Sequence, residues 1–192
     1  MAQSPKRIIL ASGSPRRREL LAALDLEFTV DTGNSFEESV DPSLDPREVP
    51  AVMSVGKSHG FHRPLEDDEV LISSDTVVLV DGEVLGKPHS REDAFRMLRE
   101  LSGRSHEVVT AVTLRDSSRE LTFSDSTLVR FEQLSDDEIA YYIDRYRPFD
   151  KAGAYGIQEW IGYAAISSIE GSFYTVMGFP VHRVYSELKK FL

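Results

Sequence analysis

Residues 7–30, RIILASGSPRRRELLAALDLEFTV, decide the fold class. Arg7 to Ala11 is a short apolar run ending in Ser12-Gly13-Ser14-Pro15, so it reads as a buried strand passing into a helix. Pro15 takes the first helical position and Ser14 the cap, with Leu20, Leu21 and Leu24 on one face. Phe28-Thr29-Val30 is a second short strand. Strand, helix and strand in direct succession open an α/β domain.

Outward from there, residues 31–50 turn to Gly, Asn, Ser, Glu, Asp and Pro, which is the chemistry of a loop, either an insertion or a functional flap. A helix is expected around Arg47 to Gly60, with Val52 and Val55 apolar. Val70 to Val80 is the most strand-like segment, interrupted at Ser73-Ser74-Asp75. It runs through the tight-turn pair Asp81-Gly82 into Glu83-Val84-Leu85. Ser90 with Asp93 caps a helix whose stripe is Ala94, Met97, Leu98 and Leu101 and whose stop is Gly103. Val108 to Leu114 and Leu121 to Phe131 read as strands joined by a polar turn at Asp116-Ser117-Ser118. Ser135 with Glu138 opens a helix through Tyr146 that Pro148 closes. Ala164 to Ile169 and Ser172 to Val176 read as a hairpin around Glu170-Gly171, and Val181 to Leu192 as a final helix. Early alternation followed by hairpins predicts a mixed sheet with flanking helices in a single domain spanning 1–192.

Composition bounds the function. The 192 residues carry 22 basic and 32 acidic side chains, a formal charge of −10. That argues against broad nucleic-acid or anionic-membrane binding, which needs a basic face. There is no cysteine, which excludes a disulfide scaffold, a thiolate zinc site and a cysteine nucleophile. The opening residues are too polar for a leader peptide, and no run approaches the ~18 apolar residues of a membrane span. A soluble cytoplasmic protein is expected.

Four features carry chemistry. Arg16-Arg17-Arg18 place three cations in the first turn of a helix, against the macrodipole. A bound anion would reverse the sign of that interaction, with hydroxyls and close backbone approach supplied by Ser12-Gly13-Ser14. Three adjacent arginines fan round the helix, so Arg16 and Arg17 are assigned to the anion and Arg18 to solvent. Asp75, between apolar runs, is a metal ligand, a general base or a capped structural acid, and Thr76 offers a hydroxyl on the other side of the strand. Lys87, in Gly86-Lys87-Pro88, follows the hairpin that could return it towards Asp75. Asp150 to Gln158 (DKAGAYGIQ) combines small residues, which admit close backbone approach, with the paired donor and acceptor of Gln158. The five histidines show no metal-ligand spacing and no nucleophile elbow is present, leaving oxygen-ligand chemistry of Mg²⁺ or Mn²⁺ on phosphoanhydrides.

These features occur in a specific order: Leu10 to Leu21, Ser74-Asp-Thr-Val-Val78, Gly86-Lys-Pro88, Leu101 to His106, Asp150 to Gln158 and Gly171 to Pro180. Together they resemble the Maf family of nucleoside triphosphate pyrophosphatases over nearly the whole chain. The resemblance implies the elongated mixed-sheet fold of inosine triphosphate pyrophosphatases, with two lobes around a cleft and, in many members, a homodimer. It implies cleavage between the α and β phosphates with a divalent metal, Mg or Mn. The proton acceptor falls on Asp75, and the substrate-selecting positions on Arg16, Thr76 and Gln158. Phosphate and metal contacts fall on Ser12, Arg17, Glu38, Lys57 and Lys87, with Ser14 in the same loop and Glu38 and Asp75 as the metal pair. The version of the motif ending in Gln158 is similar to the dTTP/UTP branch rather than the 7-methyl-GTP branch. A nucleotide-binding regulator of cell division without turnover is the alternative. The chain departs from the family pattern at Gly56-Lys57-Ser58, at the paired Glu37-Glu38, and at Glu159-Trp160 after Gln158.

Overall fold

The structure, a computed structural model, describes residues 6–192, so the reading of the first five residues lies outside it. The chain forms β1 (Arg7–Leu10), α1 (Pro15–Ala22), β2 (Phe28–Val30), α2 (Val49–His59), β3 (Glu69–Val80), β4 (Glu83–Leu85) and α3 (Arg91–Leu101). There follow β5 (Ser105–Arg115), β6 (Glu120–Phe131), α4 (Asp136–Tyr146), a 3₁₀ turn at Ala152–Ala154, α5 (Trp160–Ala165), β7 (Ile166–Glu170), α6 (Phe173–Val176) and α7 (Val181–Leu188). The strands make one mixed sheet in the order β2-β1-β3-β5-β6-β7, with β4 paired to β3. β1 is parallel to both β2 and β3, whereas β3–β4 and β6–β7 are antiparallel. The mixed α/β class expected from the sequence is therefore borne out.

By packing, the chain divides into two compact units. The first comprises Met1–Asp75, Thr110–Asp125 and Gly178–Leu192. Its centre is β1, whose Ile8, Ile9 and Leu10 are all buried, as a strand covered on both faces requires. Ile8 pairs with Phe28 on one side and Val70 on the other. Ser14 is the N-cap of α1, its hydroxyl accepting from the Arg17 amide at 3.5 Å, and Leu20 and Leu21 are its buried face. The second unit comprises Thr76–Val109 and Ser126–Met177. Here Ser90 caps α3 through the Asp93 amide, and Ser135 and Glu138 form the reciprocal capping box of α4.

The structure corrects four expectations. β3 is not interrupted at Ser73-Ser74-Asp75. Those serines stay in a buried strand because their hydroxyls find backbone acceptors, Ser73 on the Ser54 carbonyl at 2.8 Å and Ser74 on that of Gly178 at 3.5 Å. In α2, Val49 and Met53 take the inward face while Val52 faces solvent. The hairpin expected at 164–176 does not form. β7 pairs with β6, and the Thr127 hydroxyl holds the Ser172 carbonyl at 3.0 Å, where the chain turns into α6. The last helix stops at Leu188, leaving Lys189 and Lys190 in the turn beyond it.

Candidate active site

In the first unit, packing assembles the charged groups before any of them meets a ligand. Phe36, in the acidic loop, sits on α2 at Gly56. A side-chain carbon on Gly56 would lie 2.3 Å from the Phe36 ring, so only glycine admits the contact. Asn34 fixes the same segment: its amide donates to the Lys57 carbonyl at 2.6 Å, and its side-chain oxygen accepts from the Phe36 amide at 2.8 Å. The outcome is that Glu38, rather than Glu37, reaches Lys57, with Nζ 2.9 Å from Glu38 Oε1. Gly56 thus admits the ring that docks the loop on α2.

Lys57 Nζ also lies 2.6 Å from Asp75 Oδ1. α2 is held against β3 by reciprocal bonds between Ser54 and Ser73, and against β5 by a 2.9 Å bond between the Ser54 and Thr113 hydroxyls. At its C-terminal end, Arg115 donates to the Ser58 hydroxyl and carbonyl at 2.8 and 2.5 Å. Lys57 and Asp75 are therefore placed by rigid elements, with side chains 22% and 17% exposed, while Glu38 comes in on the loop at 61%. Two carboxylates share one ammonium, an arrangement with a surplus of negative charge.

Arg17 stands at the other side of that surplus. Its Nε donates to the Gly178 carbonyl at 2.9 Å, and its Nη1 to the Ser74 carbonyl at 2.8 Å and the Ser12 hydroxyl at 3.3 Å. The Ser12 hydroxyl also accepts from the Ser14 amide at 3.3 Å. Burial lowers Arg17 to about 10, which Asp75 opposes and the neighbouring Arg16 reinforces. It remains a cation at neutral pH, and its grip on the Ser74 carbonyl braces the residue before Asp75. Arg16 is half-buried and Arg18 exposed, in keeping with the division of the three arginines between site and solvent.

The second unit carries Thr76, Lys87 and Gln158. Thr76 is half-buried on β3, and Lys87 is exposed on the segment after β4, which the Gly153 amide holds through the Gly86 carbonyl at 3.0 Å. Gln158 is half-buried, and its Oε1 is shut off from solvent without a hydrogen-bond partner. A buried acceptor left unpaired is costly and marks a place where a donor belongs. Tyr155 of the same loop is buried beneath, its hydroxyl 2.7 Å from His106 Nε2. Burial lowers His106 to about 4, so the imidazole stays neutral.

Sequence reasoning passed over Tyr142, whose hydroxyl donates to Glu159 and accepts from the Gly156 amide in the loop that carries Gln158. Tyr142 lies on the buried face of α4, and a phenol buried there needs a polar partner, which was the available signal. No helix among the described residues is long and apolar enough to cross a membrane.

This fold is shared with a HAM1 protein from Coxiella burnetii, at a TM-score of 0.50 and 13% identity over 96% of this chain and 99% of that one. The family model for Maf-like proteins matches residues 7–191. The chain belongs to the Maf family. It is 52% identical to a dTTP/UTP pyrophosphatase of Porphyromonas gingivalis, covering 96% of this chain and 94% of its relative. It is 48% identical to one of Bacteroides thetaiotaomicron, covering 95% of each. A Flavobacterium johnsoniae protein of the same name is 43% identical over 95% of this chain and 93% of that one.

Proposed function

We propose that the protein is a cytoplasmic nucleoside triphosphate pyrophosphatase that hydrolyses dTTP and UTP to the monophosphate and pyrophosphate. The observation that carries this reading is the convergence of Glu38 and Asp75 on Lys57 in a Maf family chain about half identical to enzymes of that name. Fixed carboxylates, a lysine and a buried arginine are the parts that phosphoanhydride hydrolysis requires, since its demands are positioning and charge neutralisation.

In this reading Lys57 holds Asp75 Oδ1, and Asp75 Oδ2 takes the proton from the attacking water. As the water oxygen bonds to phosphorus, the bridging α–β bond breaks and pyrophosphate leaves. Arg16 and Lys87 contact the phosphates, with Ser12 and Ser14 shaping the loop beneath them. Arg17 contributes its charge from the bracing position it occupies. Thr76 and Gln158 select the base, the buried Gln158 oxygen accepting from the N3–H of uracil or thymine.

The donor set fits a hard divalent cation. No group of three or more His, Cys, Asp or Glu side chains gathers among the described residues. Two carboxylates alone suit Mg²⁺ or Mn²⁺, which keep water and substrate phosphates in their shell. Glu38 and Asp75 would hold the ion, which supplies charge neutralisation on the phosphate oxygens.

The test is a panel of nucleoside triphosphates with Mg²⁺ or Mn²⁺, scoring monophosphate, pyrophosphate and orthophosphate separately. Pyrophosphate from dTTP and UTP above the rest is the expected result. Orthophosphate as first product, or binding without turnover, overturns it.

A further inference from the structure

Behind the Lys57–Asp75 pair lies a line of hydroxyls, in a core where apolar side chains of the same shape would serve stability as well. Ser54, Ser73 and Thr113 are fully buried, and Thr122 at the far end is half-buried. The Ser54 hydroxyl donates to the Ser73 carbonyl at 3.2 Å and lies 2.9 Å from the Thr113 hydroxyl, which lies 2.9 Å from that of Thr122. In return, the Ser73 hydroxyl donates to the Ser54 carbonyl at 2.8 Å.

A hydroxyl has one proton to give, and that fixes the direction of the line. Ser54 spends its proton on the Ser73 carbonyl, so Thr113 is the donor to Ser54 and Thr122 the donor to Thr113. The line therefore runs one way, from β6 through β5 and α2 to β3, each bond polarising the next. The Ser54 carbonyl lies inside α2, where the helix ladder already supplies a donor. The bond it accepts from Ser73 is thus one that the fold alone does not require.

Where these bonds fall gives them a use. Lys57 comes three residues after Ser54 on the same face of α2, and Asp75 two residues after Ser73 on the same face of β3. Ser54–Ser73 and Lys57–Asp75 are successive rungs between one helix and one strand. The second rung is a single contact at the end of a flexible stem, Lys57 Nζ to Asp75 Oδ1 at 2.6 Å. The first is a pair of bonds in opposite directions between short side chains and backbone, which resists sliding of the helix either way along the strand. We infer that Ser54 and Ser73 are positioning residues for the Lys57–Asp75 pair, held in place themselves by Thr113 and Thr122, and that they set where the free carboxylate oxygen of Asp75 stands for the attacking water. The inference rests on the proposed role of Asp75 as proton acceptor.

The experiment measures kcat and KM on dTTP, with the thermal midpoint of each protein, for wild type, Ser73→Ala, Thr113→Val, Thr113→Ser and Asp75→Asn. Ser73→Ala is expected to lower kcat by about tenfold with KM within about twofold, since small misplacements at the reacting atoms are costly in rate. The two Thr113 variants separate hydroxyl from packing. Thr113→Val keeps the shape and loses the donor, and should lower kcat by about threefold; Thr113→Ser keeps the donor and loses a methyl, and should hold kcat at the wild-type value. Both should lower the midpoint by about 2–4 °C. The Thr113 pair carries the test alone if Ser73→Ala does not fold. Turnover lost equally in both Thr113 variants, or unchanged in Ser73→Ala and Thr113→Val while Asp75→Asn abolishes it, overturns the positioning role and leaves the role of Asp75 standing. Turnover retained in Asp75→Asn removes that role and this inference with it.

Discussion

Two clusters of charge in this chain each set two carboxylates on one lysine, and they differ in what else stands beside them. Around Lys57, like charges are neighbours: Glu38 and Asp75 share one ammonium, and Arg16 stands close enough to Arg17 to weaken its hold on a proton. Around Lys151, Asp150 and Glu159 likewise share one ammonium, but Glu159 also accepts from the buried Tyr142 hydroxyl, so both of its oxygens are engaged. The first cluster opens to solvent through Glu38, whose side chain is 61% exposed, whereas Lys151 and Glu159 in the second are only 10% and 19% exposed. Removing a charge from the first should cost turnover and spare stability, whereas removing one from the second should cost stability.

The largest effect should come from Asp75→Asn. It removes the proton acceptor and one of two competing carboxylates, so kcat is expected to fall by roughly 10²–10⁴ with nucleotide binding retained. The thermal midpoint should stay level or rise. Retained turnover, or a collapse of the fold, breaks the comparison at its strong end.

Acid should act on the second region first. His106 is held at about 4, below its usual 6.5, because its ring is buried against Phe131 and Tyr155. Between those values the unfolded chain binds a proton that the folded chain refuses, so stability falls as pH drops from 6.5 towards 4. The loss is about 3 kcal/mol at 1.36 kcal/mol per unit. Asp116 extends the decline below its usual range: burial works against its charge, but Lys6, the Ser118 amide and hydroxyl, and the Arg119 amide outweigh that. Urea unfolding of wild type and His106→Gln at pH 7, at pH 4 and at about pH 2 separates the two, since the variant should lose the upper part of the slope and keep the lower.

Lys151→Met sharpens the contrast further. It leaves Glu159 with a single partner in a pocket where the two side chains are 19% and 10% exposed. Breaking a fully buried pair costs about 3–5 kcal/mol, and partial solvent access brings the expectation here to about 2 kcal/mol. The same denaturation experiment reads it, and an unchanged midpoint would mean that the cluster is ornamental to the fold.

How far each region could be read in the sequence follows the same divide. The strand, cap and stop signals of β1, α1, α3 and α4 were legible because each is local: Ser14, Ser90 and Ser135 do what cap residues do within three positions. Arg16 and Arg17 were legible as an anomaly, since cations at a helix start break a local rule. What Arg17 holds was not, because its acceptors are 57 and 161 residues away. The resemblance had placed the functional carboxylate on Glu38, but what brings Glu38 to Lys57, a phenyl ring seated on a glycine across the loop, was equally out of reach. Tyr142 and Glu159 looked like an ordinary helix residue and an oddity after Gln158; only folding brings them together. The expected strand at Ser172 to Val176 failed for the same reason, since the turn there is held by the Thr127 hydroxyl, 45 residues away.

The smallest effect tests how the first cluster is assembled. Gly56→Ala should gain about 1 kcal/mol of helix propensity in the middle of α2. The new carbon would also fall 2.3 Å from the Phe36 ring, and overpacking of that kind costs about 1–3 kcal/mol. In the wild-type background the net is a change between nothing and a loss of about 2 kcal/mol. Removing the ring first, with Phe36→Ala, should let Gly56→Ala stabilise by its full propensity, so the cycle yields a coupling equal to the overpacking cost, about 1–3 kcal/mol. Turnover should fall several-fold in every variant that lifts Phe36 off the helix, because Glu38 then loses its place beside Lys57. If Gly56→Ala stabilises the wild type by the full amount, the ring does not seat there, and the acidic loop reaches Lys57 by some means other than this contact.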